Sequence, residues 1–225
     1  MPLKFGILLL GFSMLIGELI RQFRIRRDVK LRQVPLSCGL SGGEFARLLL
    51  RLQGLEDVKV VESRHLVTDH YVPGAKVLRL APQNFHGVNL AAAGLAAHEV
   101  GHAIQEEAGY RPLTWRQTVI RLTYYGSFGV FLVCIPLIVF ERPLGLLLLG
   151  ICWMFIRANN LLTLPAEFNA SIRVKELIRR TRLLPLGREF NQLDEMMRAA
   201  ELDKVSGFLK TIHYLASWIV PWRRR

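Results

Sequence analysis

His98, Glu99 and His102 form the pattern HExxH, which is the arrangement in this chain best suited to chemistry. On an α-helix, residues four apart lie on the same face, so both imidazoles point at one metal ion and the glutamate stands beside a metal-bound water. Zn²⁺ suits such donors and lowers the pKa of its bound water to about 7. The pattern therefore predicts one Zn²⁺ per chain, with Glu99 as the general base of a hydrolytic reaction.

A run of small residues precedes this pattern. It argues against the alternative that HExxH occurs by chance on a soluble helix. The run predicts a helix packed closely on its neighbours, where an unsatisfied pair of histidines is costly to bury. Its members are Ala91, Ala92, Ala93, Gly94, Ala96 and Ala97. We expect this helix to begin after Asn89 as its N-cap and to stop at Gly109.

A tetrahedral zinc site needs a third protein ligand, which must come from elsewhere in the chain. Downstream of His102 the next histidine is His213, close to the C-terminus. Glu167 is the candidate carboxylate, because it opens a predicted helix that follows a long apolar region. The alternative is a first-turn glutamate that complements the helix dipole, and the residues alone favour this alternative.

His70 lies in a polar segment between two short predicted strands, residues 58–61 and 76–80. It is a candidate catalytic residue that binds substrate or stabilises the oxyanion, and the alternative is an ordinary exposed loop histidine. The second strand lies just upstream of the helix that carries HExxH. We therefore expect its edge to pair with an extended peptide.

Two apolar regions predict membrane-spanning segments, about three transmembrane helices in all. Residues 5–20 are predicted to be an N-terminal transmembrane anchor and residues 122–164 a transmembrane hairpin. The alternative for the hairpin is a pair of buried helices in a soluble core. Basic residues concentrated at positions 21–32 indicate a cytoplasmic side. We thus expect residues 21–121 and 165–225 to form two parts of a cytoplasmic catalytic domain on a multi-pass protein of the inner (cytoplasmic) membrane.

Composition narrows the class of protein and its partners. The chain has 225 residues, 51% of them hydrophobic, and a formal net charge of +12, which excludes an intrinsically disordered protein. The positive charge predicts an acidic partner, either nucleic acid or the anionic cytoplasmic leaflet of a lipid bilayer. A recognised nucleic-acid-binding motif is absent from the sequence, so we expect the bilayer and no nucleic acid. The spacing of Cys38, Cys134 and Cys152 predicts neither a disulfide framework nor a cysteine zinc site.

Several short motifs make the chain resemble a known family over nearly its whole length. They are residues 40–44 (LSGGE), 68–71 (TDHY), 97–105 (AHEVGHAIQ) and 164–171 (LPAEFNAS). With the apolar N-terminus and hairpin, these motifs resemble the bacterial membrane-associated neutral zinc metallopeptidases, often called YugP-like. The order of parts is also similar to the membrane gluzincins of the heat-shock protease and prenyl-protease type.

The resemblance implies a mainly α fold with a small β-sheet (α+β), organised as a gluzincin-like zinc metallopeptidase domain. It implies His98, His102 and Glu167 as zinc ligands and Glu99 as general base. One departure is Ser171, which stands where related proteins often have an acidic residue that supports a ligand histidine. Asn169 or another group must then orient that imidazole.

The function expected from all of this is a membrane-bound, zinc-dependent endopeptidase that acts on peptide or protein substrates. The alternative is a catalytically idle membrane adaptor or chaperone that retains zinc for structure.

Overall fold

The structure, a computed structural model, describes residues 2–63, 69–140, 144–145, 147–149, 151–152 and 163–205. Residues 153–162 of the predicted hairpin, and residues 206–225 with His213, lie outside the described residues. The described helices and strands are, in chain order, α1 (Pro2–Arg32), α2 (Gly42–Leu52), β1 (Lys59–Glu62), β2 (His70–Val72), β3 (Val77–Leu80), α3 (Pro82–Phe85), α4 (Leu90–Glu107), α5 (Arg111–Val139), α6 (Leu164–Thr181) and α7 (Arg188–Val205). The described chain is thus mostly helical with a small three-stranded sheet, as the sequence predicted.

The chain divides into two compact units. One consists of residues 1–22, 115–164 and 203–225, and the other of residues 23–114 and 165–202. The second unit contains HExxH, Glu167, the sheet and the main hydrophobic core.

The prediction of about three transmembrane helices is wrong for the described part of the chain. None of the helices described there is both apolar enough and long enough to cross a bilayer. The sequence prediction rested on runs of uncharged residues and on the aromatic residues and arginines near their ends.

α2 begins at a capping box. The N–H of Glu44 donates to Ser41 Oγ at 3.3 Å, and the N–H of Ser41 donates to Glu44 Oε2 at 2.8 Å. These bonds satisfy two backbone groups that a helix start leaves unpaired. Phe45 and Leu49, one turn apart, are both fully buried, so α2 covers the core with one face.

The sheet has the strand order β1-β3-β2, with β1 parallel and β2 antiparallel to β3. The predicted peptide-binding edge at residues 76–80 is therefore wrong, because β3 is the central strand and is hydrogen-bonded on both sides. The polar segment between the two predicted strands turns back at Gly74, which has a φ of +77°, and supplies β2. Tyr71 of β2 pairs with Leu78 and thereby occupies the edge expected for substrate.

α4 begins as predicted at Asn89, whose side-chain Oδ1 accepts the N–H of Ala92 at 3.0 Å. Its residues from Leu90 to Gln105 are all buried. A Cβ on Gly94 would lie 2.9 Å from Cβ of Met196 in α7. The small residues of α4 thus allow close packing on every side, in agreement with the sequence prediction.

Candidate metal centre

The candidate site lies where α4 and α6 touch. A Cβ on Gly101 would lie 2.3 Å from the backbone O of Ala170, so the two helices approach each other backbone to backbone at this point. Gly101 is the fourth residue of HExxH, and Ala170 lies three residues after Glu167. The close approach therefore brings the first turn of α6 directly against the face of α4 that carries the histidines.

Three donor atoms converge in this contact. Nε2 of His98 lies 3.0 Å from Oε2 of Glu167, and Nε2 of His102 lies 3.3 Å from the same oxygen. The ligand atoms of the three residues all lie within 4.8 Å of one another, and each side chain is about 1% exposed. The structure thus brings together the three residues predicted as zinc ligands, in the His₂Glu donor set of hydrolytic zinc sites.

Gln105 fixes the orientation of the His102 imidazole. Its Oε1 lies 2.9 Å from His102 Nδ1, while its Nε2 donates to the backbone O of Ala166 at 2.7 Å and to Asn169 Oδ1 at 3.0 Å. A carbonyl oxygen only accepts, so Nε2 of the amide must face Ala166 and Oε1 must accept a proton from Nδ1. In the neutral imidazole the lone pair is then on Nε2, the atom that faces Glu167, as metal binding requires.

Ser171 makes the corresponding contact to His98. Its Oγ lies 3.0 Å from His98 Nδ1. The sequence left open which group orients this imidazole, with Asn169 as one candidate. In the structure Asn169 is hydrogen-bonded to Gln105 and Arg173. The group that contacts the His98 imidazole is Ser171 itself.

Glu99 is 3% exposed and is held by the sheet. The backbone N–H of Tyr71 in β2 donates to Glu99 Oε2 at 2.9 Å. A backbone N–H can only donate, so the Glu99 carboxylate is the acceptor and this bond holds it in place. β2 in turn is held on α4, because Glu106 accepts from both the Tyr71 hydroxyl and the N–H of Gly74.

Asp69 fixes the start of β2 next to Glu99. Its Oδ1 accepts the N–H of Ala81 at 2.8 Å, and its Oδ2 accepts from Asn84 Nδ2 at 2.6 Å. Burial raises the pKa of Asp69, and the negative charge of Glu99 raises it further, while the two hydrogen bonds act in the opposite direction.

The structure places His70 at the start of β2, half-buried and paired through its backbone with Arg79. The cluster of metal donors found among the described residues consists of His98, His102 and Glu167 and does not include His70. Its catalytic role stays a prediction.

Sequence reasoning missed Gln105 and the backbone N–H of Tyr71. Gln105 had a local signal, since it follows His102 by three residues and so shares its helix face. Tyr71 lies in the motif at residues 68–71, but nothing local indicated its contact with Glu99, which joins positions 28 residues apart.

Comparisons with known proteins identify a family whose description names zinc. The family described as "Putative neutral zinc metallopeptidase" matches residues 7–223. The chain is 32% identical over 208 residues to "Putative membrane protease YugP" of Bacillus subtilis (strain 168), covering 88% of each protein. No solved structure matches the chain significantly. With the geometry of the site, these matches show that the chain belongs to this neutral zinc metallopeptidase family.

Proposed function

We propose that the protein is a zinc-dependent endopeptidase that cleaves peptide bonds in peptide or protein substrates. The observation that carries the proposal is the convergence of His98, His102 and Glu167 beside the buried carboxylate of Glu99. Family membership supports the same reaction class.

Each protein group has a definite part in this reaction. The two Nε2 atoms and the Glu167 carboxylate would hold Zn²⁺, which supplies the Lewis acidity that makes water nucleophilic near neutral pH. Glu99 would take up the proton of the attacking water and later pass it to the leaving amine. The N–H of Tyr71 keeps the Glu99 carboxylate in place for both transfers. Burial of all four side chains strengthens their electrostatic interactions, because it keeps bulk water away from them.

The proposal includes a lipid partner, the anionic surface of the cytoplasmic membrane on its cytoplasmic side. Support comes from the related protein of Bacillus subtilis, whose printed name is "Putative membrane protease YugP", and from α1. The first half of α1 exposes apolar side chains at helical spacing, namely Leu8, Phe12, Leu15 and Leu19. Its second half carries the basic residues Arg21, Arg24, Arg26, Arg27, Lys30 and Arg32. Such a helix combines apolar and electrostatic attraction to an anionic lipid surface.

Vesicle sedimentation tests the lipid partner. The protein is expected to pellet with vesicles that contain phosphatidylglycerol and to remain in the supernatant with phosphatidylcholine vesicles at moderate salt. Equal sedimentation with both kinds of vesicle would show that anionic headgroups are not what the protein recognises.

Glu99→Gln tests the peptidase. The variant is expected to keep zinc and to lose cleavage of a fluorescently labelled casein by about 10²–10⁴-fold, the usual contribution of a general base. The matched control is Glu107→Gln, the same change at an exposed position of the same helix, which should leave the rate unchanged. A wild-type protein that binds zinc and cleaves no peptide would instead favour the idle adaptor.

A further inference from the structure

The site is backed by a buried carboxylate that the proposed reaction does not use. Glu201 of α7 is 2% exposed and accepts a hydrogen bond from the side chain of Ser171. Burial raises the pKa of the Glu201 carboxyl, while the bond from Ser171 and the charges of His98 and Lys175 act in the opposite direction. A buried carboxylate is costly unless hydrogen bonds compensate it, so its position beside Ser171 calls for a role.

The Ser171 hydroxyl stands between Glu201 and His98 and has a single proton. The bond from Ser171 lowers the pKa of Glu201, so it is a hydrogen bond to the ionised form, and in that form the Ser171 hydroxyl donates its proton to the carboxylate. The oxygen of Ser171 then has only lone pairs to offer to His98, 3.0 Å away at Nδ1. His98 Nδ1 must therefore carry a proton, and the lone pair of the neutral ring is placed on Nε2, 3.0 Å from Glu167 Oε2.

We propose that Glu201 is a positioning residue of the metal centre, which acts through the Ser171 hydroxyl to fix the tautomer and ring orientation of His98. This inference rests on the zinc site of the proposed function. Metal-bound histidines commonly donate their second N–H to a carboxylate. Here the carboxylate comes from a different helix, and the hydroxyl of Ser171 spans the gap between it and the imidazole.

The two histidines thus have different supports. His102 is hydrogen-bonded to the Gln105 amide of its own helix. His98 is instead supported by a series of hydrogen bonds that passes through Ser171 of α6 to Glu201 of α7. A change in α7 therefore reaches His98 and leaves His102 in place.

The inference is tested by a double-mutant cycle of Glu201→Gln and Ser171→Ala, with zinc affinity measured by competition with a chromophoric chelator. Each single change is expected to weaken zinc binding by about 10–100-fold, as for other partners of ligand histidines. Because both changes break the same series of hydrogen bonds, the double variant should bind zinc about as well as Ser171→Ala alone. The control is Glu195→Gln, also on α7, where the native side chain pairs with Arg27. It should bind zinc as the wild type does.

Two further measurements separate positioning from folding. The thermal midpoint of the zinc-free chain reports stability, and the NMR signal of the His98 Nδ1 proton in the zinc-loaded chain reports the tautomer. Loss or broadening of that signal in Glu201→Gln, with an unchanged zinc-free midpoint, supports the assignment. If Glu201→Gln fails to fold, Ser171→Ala carries the same NMR test.

The outcomes also distinguish this inference from the proposed function. Wild-type zinc affinity in Glu201→Gln, or effects of the two changes that simply add, overturns the role of Glu201 alone. A wild-type chain that binds zinc and cleaves no peptide overturns the peptidase and leaves the role of Glu201 standing.

Discussion

Nδ1 of His102 lies 2.9 Å from Oε1 of Gln105, one turn further along the same helix. The other end of that amide donates to the backbone of Ala166 at 2.7 Å. A single side chain thus holds an imidazole of the candidate metal centre and links α4 to the first turn of α6, immediately before Glu167. It positions ligands from both helices at once.

Gln105→Leu should remove both effects while nearly preserving side-chain volume. We expect zinc affinity to fall by about 10–100-fold, and the free energy of unfolding of the zinc-free chain to fall by about 1–3 kcal/mol, since buried groups lose their partners. Chelator competition and urea unfolding measure the two quantities. The exposed Gln83 supplies a control, Gln83→Leu, and unchanged zinc affinity in Gln105→Leu would contradict the role given to Gln105.

Gly101→Ala should force α4 and α6 apart. The added Cβ would meet the backbone O of Ala170 at 2.3 Å, and backbone cannot move aside as a flexible side chain does. We expect a loss of about 1–3 kcal/mol in the free energy of unfolding, as for other overpacked cores, together with weaker zinc binding because Glu167 is displaced. Gly129→Ala in α5 is the matched control, since a Cβ there meets nothing within 4 Å. If both variants unfold alike, the close helix contact is not what Gly101 provides.

Asp69→Ala should act on Glu99 from a distance. The change leaves the N–H of Ala81 and the amide of Asn84, both buried, without their acceptor, which costs about 1–3 kcal/mol. Because Asp69 fixes the start of β2, the Tyr71 contact to Glu99 should loosen and kcat should fall. Urea unfolding and casein cleavage measure both effects. A variant that loses stability but keeps the wild-type kcat would show that β2 does not need Asp69 for its position.

The capping box of α2 should make stability depend on pH. Hydrogen bonds from the backbone and hydroxyl of Ser41 lower the pKa of Glu44 below its ordinary value of 4.5. A lowered pKa means that Glu44 contributes stability above pH 4.5 and loses it as pH falls through the lowered pKa. Glu44→Gln keeps the shape of the box and removes the charge. The difference in unfolding free energy between wild type and variant should therefore narrow from about pH 6 to about pH 3, and a constant difference would contradict the assignment.

The parts of this molecule that could be predicted from sequence are those with local signals. The N-cap at Asn89 and the face shared by His98 and His102 depend on residues three or four apart, and both were confirmed. The assignment of Glu167 as a ligand depended on the resemblance to a family, because its contact with His98 joins positions 69 residues apart.

The parts that escaped prediction depend on pairing between distant segments. β2 is three residues long, too short for a period-two pattern, and its pairing made β3 the central strand. Ser171 was noticed only as a departure from a pattern, since its contact to His98 also requires α6 to dock on α4. Glu201 gave no signal, because nothing near it in sequence takes part in the site.

Because the donor set is divided between α4 and α6, metal binding would also affect the stability and the degradation of the protein in the cell. In the unfolded chain His98 and Glu167 are 69 positions apart, so Zn²⁺ held as we propose would bind the folded state and act as a cross-link between the two helices. At a free zinc concentration one hundred times the Kd, such linkage adds about 2.7 kcal/mol to the free energy of unfolding. Zinc starvation removes that contribution, and a less stable chain is cleared faster by cellular proteases. With the proposed zinc site, the abundance of this protein would depend in part on the supply of zinc.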